Sequence, residues 1–429
     1  EWLAALNTTG NKGRKLGILT SLLLLAIAVP AAYLYYNHQS ELGSPESGLP
    51  VQKSADQSSP QVVEQKEQPT NVTQAQPEPE LPEQKPVQTE EERAQEQYKN
   101  IVTEAQKLIK SKQYLGLVDK LLPAAKQGYA PAQTLLGTCY EKGYGVEKDP
   151  EQAVHWYRKA VEQNDAQAQC NLGQCYEKGI GVEKDPNQAI KWYRKACEQN
   201  YAEAQNHIGY CYQKGIGIAR NQDLAFQWYQ KAAAQNHAEA QCNMGWCYQQ
   251  GIGVLSDPDL AVQWYRKSAA QNNASALNNL GLCYLDGIGV TKNAYEALKL
   301  FRKAIEQGSA SAYSNLGWCY EKGLGVERDS YQAFKYYRKA AEMDDAAGLS
   351  NLGFCYHQGI GTQKNMQQAI KCYRKAAEMD DANAQHNLAY CYQHGIGISR
   401  DRKQAVYWYQ KAAEQGHESA INALNNMGM

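Results

Sequence analysis

The segment CYEKGIGVEKDPNQAIKWYRKA, from Cys175 to Ala196, has close copies every 36 residues along the C-terminal two thirds of the chain. Aligned on their glycine pairs, the copies show no insertion or deletion, and they begin at Cys139, Cys175, Cys211, Cys247, Cys283, Cys319, Cys355 and Cys391. A fixed period of this length is typical of a solenoid, in which each unit buries its apolar face against the next. The period predicts one elongated array in place of the roughly three globular domains that 429 residues would otherwise suggest.

Each copy carries the pattern of two amphipathic helices. In the second copy, one face of the first helix consists of Ala168, Leu172, Cys175 and Tyr176, and Gly179 ends that helix. After the Gly-Ile-Gly-Val loop, a second apolar stripe is formed by Ala189, Trp192, Tyr193 and Ala196. Every repeat is therefore predicted to be an antiparallel helix pair.

The borders of the second helix use the same residue types in every repeat. An N-cap residue, whose side chain can accept from free backbone N–H groups, precedes it at Asp149, Asp185, Asn221, Asp257, Asn293, Asp329, Asn365 and Asp401. The helix ends at residues that tolerate a left-handed conformation, namely Asn164, Asn200, Asn236, Asn272, Gly308, Asp344, Asp380 and Gly416. A glycine also recurs inside the first helix, from Gly137 to Gly353. It costs about 1 kcal/mol of helix propensity, which indicates a close helix approach there.

These patterns resemble the Sel1-like repeats, relatives of the tetratricopeptide repeat with a slightly longer loop between the helices. The resemblance is carried by A-x-A-Q-x-x-L-G-x-x-Y-x-x-G-x-G-V and A-x-x-W-Y-x-K-A within Ala166 to Ala196, and it covers residues 91–429. It implies an all-α fold, a right-handed α-solenoid of about eight 36-residue helix-pair repeats that acts as an adaptor or scaffold. Residues 129–416 then form the repeats, 91–128 an N-terminal capping helix pair and 417–429 a C-terminal capping helix.

The N-terminal part of the chain differs from the repeats in composition. Residues 16–36, LGILTSLLLLAIAVPAAYLYY, contain 21 residues without a charge, enough to cross a bilayer as a signal-anchor helix. The basic residues lie before this segment, so residues 1–15 are expected in the cytoplasm and the repeats in the periplasm, the extracellular space or a lumen. The alternative is a signal peptide cleaved near Ala26-Ile27-Ala28, and either reading exports the repeats. Residues 37–90 are rich in Pro, Glu and Gln and predict a disordered linker.

Composition and spacing argue against several classes of function. The formal net charge of −1 leaves no electrostatic basis for binding nucleic acid. The cysteines and histidines show no metal-ligand spacing, and no nucleophile or carboxylate accompanies the histidines at a fixed interval. We therefore expect no enzyme activity, no metal and no cofactor. The glycine-pair loops are interpreted as turns and not as phosphate-binding loops. A phosphate-binding loop of this kind follows a strand, whereas a helix precedes each of these.

The eight periodic cysteines are expected to be small buried hydrophobes. Stacked helices lie about 8 to 10 Å apart, whereas a disulfide requires Cα atoms closer than about 7 Å. The cysteine spacing of the disulfide-stapled subgroup of the family is also absent, because Gln205 stands eight residues after Cys197. The Lys-Arg pairs of the second helices, such as Arg158-Lys159, are interpreted as a solvated outer face.

The residue before each repeat cysteine is aromatic in five of the last six repeats, and an asparagine stands one helical turn earlier in most of them. If the first helices line the concave face, as in the related repeats, these two rows form a groove for a protein or peptide ligand. The predicted binding residues are Tyr210, Asn243, Trp246, Asn279, Leu282, Asn315, Trp318, Asn351, Phe354, Asn387 and Tyr390. The alternative is that the aromatics pack between repeats and the asparagines stabilise the superhelix.

Together these predictions favour a membrane-anchored adaptor or scaffold whose solenoid binds proteins on its concave face. Two other hypotheses remain open. Because the chain begins with Glu1 and not Met, one hypothesis makes it the extracytoplasmic sensor portion of a larger membrane enzyme, such as a receptor-like kinase. The other makes the aromatic row a cell-wall or glycan-binding module.

Overall fold

The structure, a computed structural model, describes residues 89–428. In that range the chain forms nineteen α-helices and no β-strand. Two helices precede the repeats, α1 (Glu90–Lys110) and α2 (Leu117–Lys126). The first helices of repeats 1 to 8 are α3 (Ala130–Lys142), α5 (Ala166–Lys178), α7 (Ala202–Lys214), α9 (Ala238–Gln250), α11 (Ala274–Asp286), α13 (Ala310–Lys322), α15 (Ala346–Gln358) and α17 (Ala382–His394).

The second helices of the repeats alternate with the first along the chain. They are α4 (Pro150–Glu162), α6 (Pro186–Glu198), α8 (Gln222–Ala234), α10 (Pro258–Ala270), α12 (Ala294–Glu306), α14 (Ser330–Glu342), α16 (Met366–Glu378) and α18 (Arg402–Glu414). A short final helix, α19 (Glu418–Asn426), packs against α18. Each helix packs mainly against its neighbours in the chain, so the fold is an all-helical solenoid of eight helix pairs.

The predicted helix borders are confirmed. The carboxylate of Asp185 accepts from the backbone N–H groups of Asn187 and Gln188 at 2.9 and 3.1 Å. An Asp or Asn also caps each of the remaining second helices of the repeats. Each first helix of a repeat ends at a glycine in the left-handed region. After each second helix, the predicted residue has a positive φ, such as 58° at Asn200.

The two helices of a repeat approach closely because a large ring of the second helix lies over the glycine of the first. Tyr193 of α6 is fully buried, and a Cβ atom at Gly173 of α5 would come within 2.7 Å of its ring. Repeats 1 to 7 all show this pairing, with Phe301 as the ring in repeat 5. The predicted close approach is confirmed, and the glycine provides the space for the ring.

Consecutive repeats are joined through the loop between the two helices. Gly181 in the loop of repeat 2 has a φ of 65°, and a Cβ there would overlap the carbonyl oxygen of Pro150 in repeat 1. The second glycine of the pair thus permits both the turn and the contact between repeats. The loop offers no uncapped helix N-terminus to an anion, because the side chain of Asp185 already caps α6.

The segments outside the repeats pack as caps. Helix α1 begins at Glu90, one residue before the predicted start, because Thr89 and Glu92 form a capping box. The second helix of this pair begins only at Leu117, because Lys112 and Gly116 adopt left-handed conformations in the turn that precedes α2. At the other end, Ala420 of α19 is buried against the last repeat.

The predicted membrane span at residues 16–36 and the linker as far as residue 88 lie outside the described residues. Among residues 89–428, no helix combines the length and the apolar character that crossing a bilayer requires.

Candidate protein-binding face

Five aromatic side chains occupy the same position on five of the six first helices of repeats 3 to 8 and are exposed. Their exposed fractions lie between 38 and 41%, and they are Tyr210, Trp246, Trp318, Phe354 and Tyr390. We call these five residues the aromatic row. Leu282, the predicted member in repeat 5, differs because it is half-buried and packs against the core cluster of repeats 4 to 6. In repeats 1 and 2 the position is held by the half-buried polar residues Thr138 and Gln174.

The predicted asparagines are half-buried, and several form contacts between repeats. The side-chain N–H of Asn243 donates to Oδ1 of Asn206 at 2.9 Å, and that of Asn315 donates to Oδ1 of Asn278 at 2.7 Å. Asn279 contacts the Sγ atom of Cys242 at 3.8 Å. These contacts agree with the interpretation in which the asparagines stabilise the stacking. Each such hydrogen bond uses one of the polar groups of a carboxamide, which has two N–H donors and an oxygen.

The other two predicted asparagines, Asn351 and Asn387, are also half-buried on their first helices. The carboxamide oxygen of Asn387 lies 3.4 Å from Nδ1 of His386. All eleven predicted residues therefore lie on the first helices, at two positions that are one helical turn apart. The aromatic members are more exposed than the asparagines or Leu282.

A groove of about 990 Å³ opens on this face across repeats 2 to 4. Its walls come from α5, α7 and α9 and from the turns that precede α9 and α11. Tyr210 of the aromatic row and Asn243 both line it. The first helices of three consecutive repeats therefore form this groove together.

The centre of this groove holds a glutamate between two histidines, an arrangement that the sequence pattern did not predict. Glu203 Oε2 accepts from Nε2 of His237 at 3.0 Å, and its Oε1 lies 3.5 Å from Nε2 of His207. The contacts with His207 and then His237 hold the pKa of Glu203 well below its usual range, so this carboxylate stays charged. Glu203 and His207 lie one helical turn apart on α7, whereas His237 is 34 residues from Glu203 and no local pattern relates the two.

His237 has a second role at the start of α9. Its Nδ1 atom accepts from the backbone N–H of Ala240 at 3.2 Å and so caps the helix. A ring nitrogen that accepts a hydrogen bond carries no proton, so the proton of this imidazole is on Nε2, from which it donates to Glu203. The ring of His207 stacks on Tyr193 with centroids 5.0 Å apart.

All twelve cysteines are free thiols, and the eight periodic ones are buried, as predicted. Burial raises the pKa of the thiols of Cys175, Cys211 and Cys247 to about 12, which suppresses the reactive thiolate form. Within residues 89–428, no group of three or more His, Cys, Asp or Glu side chains is arranged to hold a metal ion.

The Lys-Arg pairs of the second helices are exposed, and the lysines cover tryptophan rings. The Nζ atom of Lys195 lies 4.4 Å from the centroid of Trp192, and that of Lys267 lies 4.2 Å from the centroid of Trp264. Cation–π contacts at exposed sites contribute about 0.5 to 1 kcal/mol each. This surface is therefore charged and solvated.

The Sel1 repeat model matches eight consecutive segments, at residues 130–165, 166–201, 202–237, 238–273, 274–309, 310–345, 346–381 and 382–417. The chain belongs to the Sel1 repeat family. These boundaries agree with the 36-residue period and with the helix pairs, so the resemblance identified from the sequence is confirmed. Solenoids of Sel1 repeats typically mediate protein–protein interactions and are non-catalytic scaffolds.

Two solved structures illustrate the likeness of this Sel1 repeat chain to bacterial proteins. A protective antigen of uropathogenic Escherichia coli with an SLR fold is 33% identical, with 77% of this chain and 79% of that chain covered, at a TM-score of 0.45. A Sel1 repeat protein from Oxalobacter formigenes is 38% identical, with 56% of this chain and 96% of that chain covered, at a TM-score of 0.49. The comparison with curated proteins gave no match.

Proposed function

We propose that this Sel1 repeat chain is a membrane-tethered adaptor that binds a protein or peptide partner along its aromatic row. The observation that carries the proposal is the exposure of five aromatic side chains at one position of successive first helices, next to half-buried asparagines. Aromatic side chains supply a large share of the binding energy at protein interfaces, and amides can pair with a peptide backbone. The spacing by one repeat suits a partner that extends along several repeats.

The proposal is tested by replacing two members of the row, Trp246 and Trp318, with alanine in the full chain. Both side chains are about 40% exposed, so their removal should leave the melting temperature within a few degrees of wild type. The amount of partner that affinity purification recovers from the native compartment should drop strongly with the double variant.

The matched control replaces two exposed aromatics outside the row, Tyr295 and Tyr331, which lie in the first turns of α12 and α14. This control variant should capture the partner as wild type does. A large loss of thermal stability in the tryptophan variant without a binding defect would contradict the proposal, because it would assign these rings to packing.

The membrane tether is proposed from composition alone, since residues 16–36 are uncharged and basic residues precede them. The proposed orientation places the N-terminus in the cytoplasm and the repeats on the other side of the membrane. Extraction of membranes at alkaline pH should leave the chain in the pellet, and protease added to the non-cytoplasmic side should degrade the repeats. Recovery of a shorter, soluble chain would indicate a cleaved signal peptide instead.

A further inference from the structure

The groove across repeats 2 to 4 carries negative charge. Each of its three first helices contributes one glutamate, namely Glu177 from α5, Glu203 from α7 and Glu239 from α9. Lys178 is the one lysine or arginine among the described residues that line it. With both histidine rings neutral, the lining therefore has a net charge of −2. Low-dielectric walls around a concave surface of one charge sign strengthen the attraction for the opposite sign.

Two of the three carboxylates are oriented by a hydrogen bond to only one oxygen. The hydroxyl of Tyr193 donates to Oε2 of Glu177 at 2.6 Å, and the side-chain amide of Asn273 donates to Oε2 of Glu239 at 3.0 Å. In these bonds the Oε1 atoms are not used, which leaves them as acceptors for a ligand. Glu203 differs, because its two oxygens already face His207 and His237.

Two of the glutamates belong to this part of the array and are not a requirement of the repeat. In repeats 6 to 8, the positions equivalent to Glu177 and Lys178 hold Glu321 and Lys322, but the other two glutamates are replaced by Ala347 and Asn383. The equivalent surface of repeats 6 to 8 is also acidic, but there the charge comes from Asp380 and Asp381, at the positions of Asn236 and His237. Since the fold accepts uncharged residues at the positions of Glu203 and Glu239, packing does not explain these two glutamates.

Tyr210 adds a surface for a cation at the wall of the groove. Its side chain is 39% exposed and lines the groove. A guanidinium or ammonium group is attracted to the face of such a ring, and arginine also pairs with carboxylates through two parallel hydrogen bonds. We infer that this groove binds an extended segment of the protein partner that carries lysine or arginine side chains, which the glutamates and Tyr210 recognise. The inference rests on the proposed function and specifies the chemistry of the partner.

The test measures binding of three fluorescein-labelled decapeptides to the full chain by fluorescence polarisation at pH 8, where histidine side chains are mostly neutral. All three have a Gly-Ser sequence, and they differ in carrying three arginines, three glutamates or no charged residue. The arginine peptide should bind most tightly, and its affinity should fall as salt is raised. Equal binding of the uncharged peptide, or preferred binding of the glutamate peptide, would overturn the inference.

A variant with Glu177→Gln and Glu239→Ser isolates the charge without new packing. The chain itself uses glutamine at the first position, where Gln213 and Gln249 accept from buried tyrosines, and serine at the second, in Ser275 and Ser311. This variant should bind the arginine peptide about tenfold or more weakly. The matched control is Glu321→Gln, because Glu321 accepts from Tyr337 at 2.8 Å outside the groove. It should bind as wild type does, and an equal loss in the control would contradict the inference.

The same variants separate this inference from the proposed function. If capture of the native partner is lost with Trp246→Ala and Trp318→Ala but unchanged with Glu177→Gln and Glu239→Ser, the inference fails and the proposed function stands. If neither variant changes capture, both fail.

Discussion

Position 301 holds a phenylalanine, whereas all seven of the other repeats have a buried tyrosine at the equivalent position. The residue 16 positions earlier accepts the tyrosine hydroxyl in the other repeats, as Glu177 does for Tyr193, but in this repeat it is Leu285. Leu285 and Phe301 are both buried in one cluster. The two substitutions belong together, because a buried hydroxyl without an acceptor costs about 1 to 3 kcal/mol.

This pairing predicts the outcome of Phe301→Tyr. The single variant should lower the free energy of unfolding by about 1 to 3 kcal/mol, because its hydroxyl would face Leu285. The double variant with Leu285→Gln restores an acceptor of the kind seen at Gln249 and should recover most of that loss. Urea unfolding of the single and double variants measures both values. The pairing would be contradicted if the double variant lost more free energy of unfolding than the two single variants lose together.

A second prediction concerns Gly245 of α9. A Cβ there would come within 2.6 Å of the Tyr265 ring, so Gly245→Ala should destabilise the chain by about 1 to 3 kcal/mol despite the better helix propensity of alanine. The reverse substitution Ala389→Gly, at the one repeat that has alanine in this position, should cost about 1 kcal/mol through propensity. Thermal unfolding measures both, and an unchanged melting temperature for Gly245→Ala would show that the ring can move aside.

At the scale of the helix, the second helices depend on their N-caps. Asp185 accepts from two backbone N–H groups of α6, so Asp185→Ala should lower the free energy of unfolding by about 1 kcal/mol. Asp185→Asn is the matched control, because Asn221, Asn293 and Asn365 cap the equivalent helices. It should stay within a few tenths of a kcal/mol of wild type. Equal losses for both variants in chemical denaturation would indicate that the charge, and not the hydrogen bonds, stabilises the helix.

The whole solenoid contains many buried thiols, and they make its stability depend on alkaline pH. Burial raises the pKa of Cys175, Cys211 and Cys247 from 9 to about 12. Above pH 9 an unfolded chain releases these protons while the folded chain keeps them, so stability is complete below pH 9 and falls as the pH rises towards 12. Each thiol contributes up to about 1.4 kcal/mol per pH unit in that window.

The fourth prediction is therefore a lower urea midpoint at pH 10 than at pH 8, under reducing conditions. The same experiment on Cys247→Ala provides the control, since this variant should be less stable at pH 8 but lose less on going to pH 10. A midpoint that rises with pH would contradict this, because it would mean that the folded chain releases protons more readily than the unfolded chain. Thiol labelling at pH 8 should also be slow until the chain unfolds.

The candidate site was predictable only in part. The register of the aromatic row followed from the period, because residues 36 apart occupy equivalent positions in a solenoid. The difference in exposure between Leu282 and the aromatic row did not follow from the period. Leu282 and Trp318 occupy equivalent positions but contact different neighbours. The contact of Glu203 with His237 also required the structure, because it joins α7 to the turn before the next first helix.

The sequence by itself determined the repeat length, the helix borders and the burial of the periodic cysteines. These features depend on local caps and on periodicity, both of which are written along the chain. The tertiary structure decided which residues of neighbouring repeats meet, and so it produced the charged groove and the hydrogen bonds between asparagines. The physical reason is that stacking brings together positions 30 to 37 residues apart, whose side chains interact only after the helix pairs have packed.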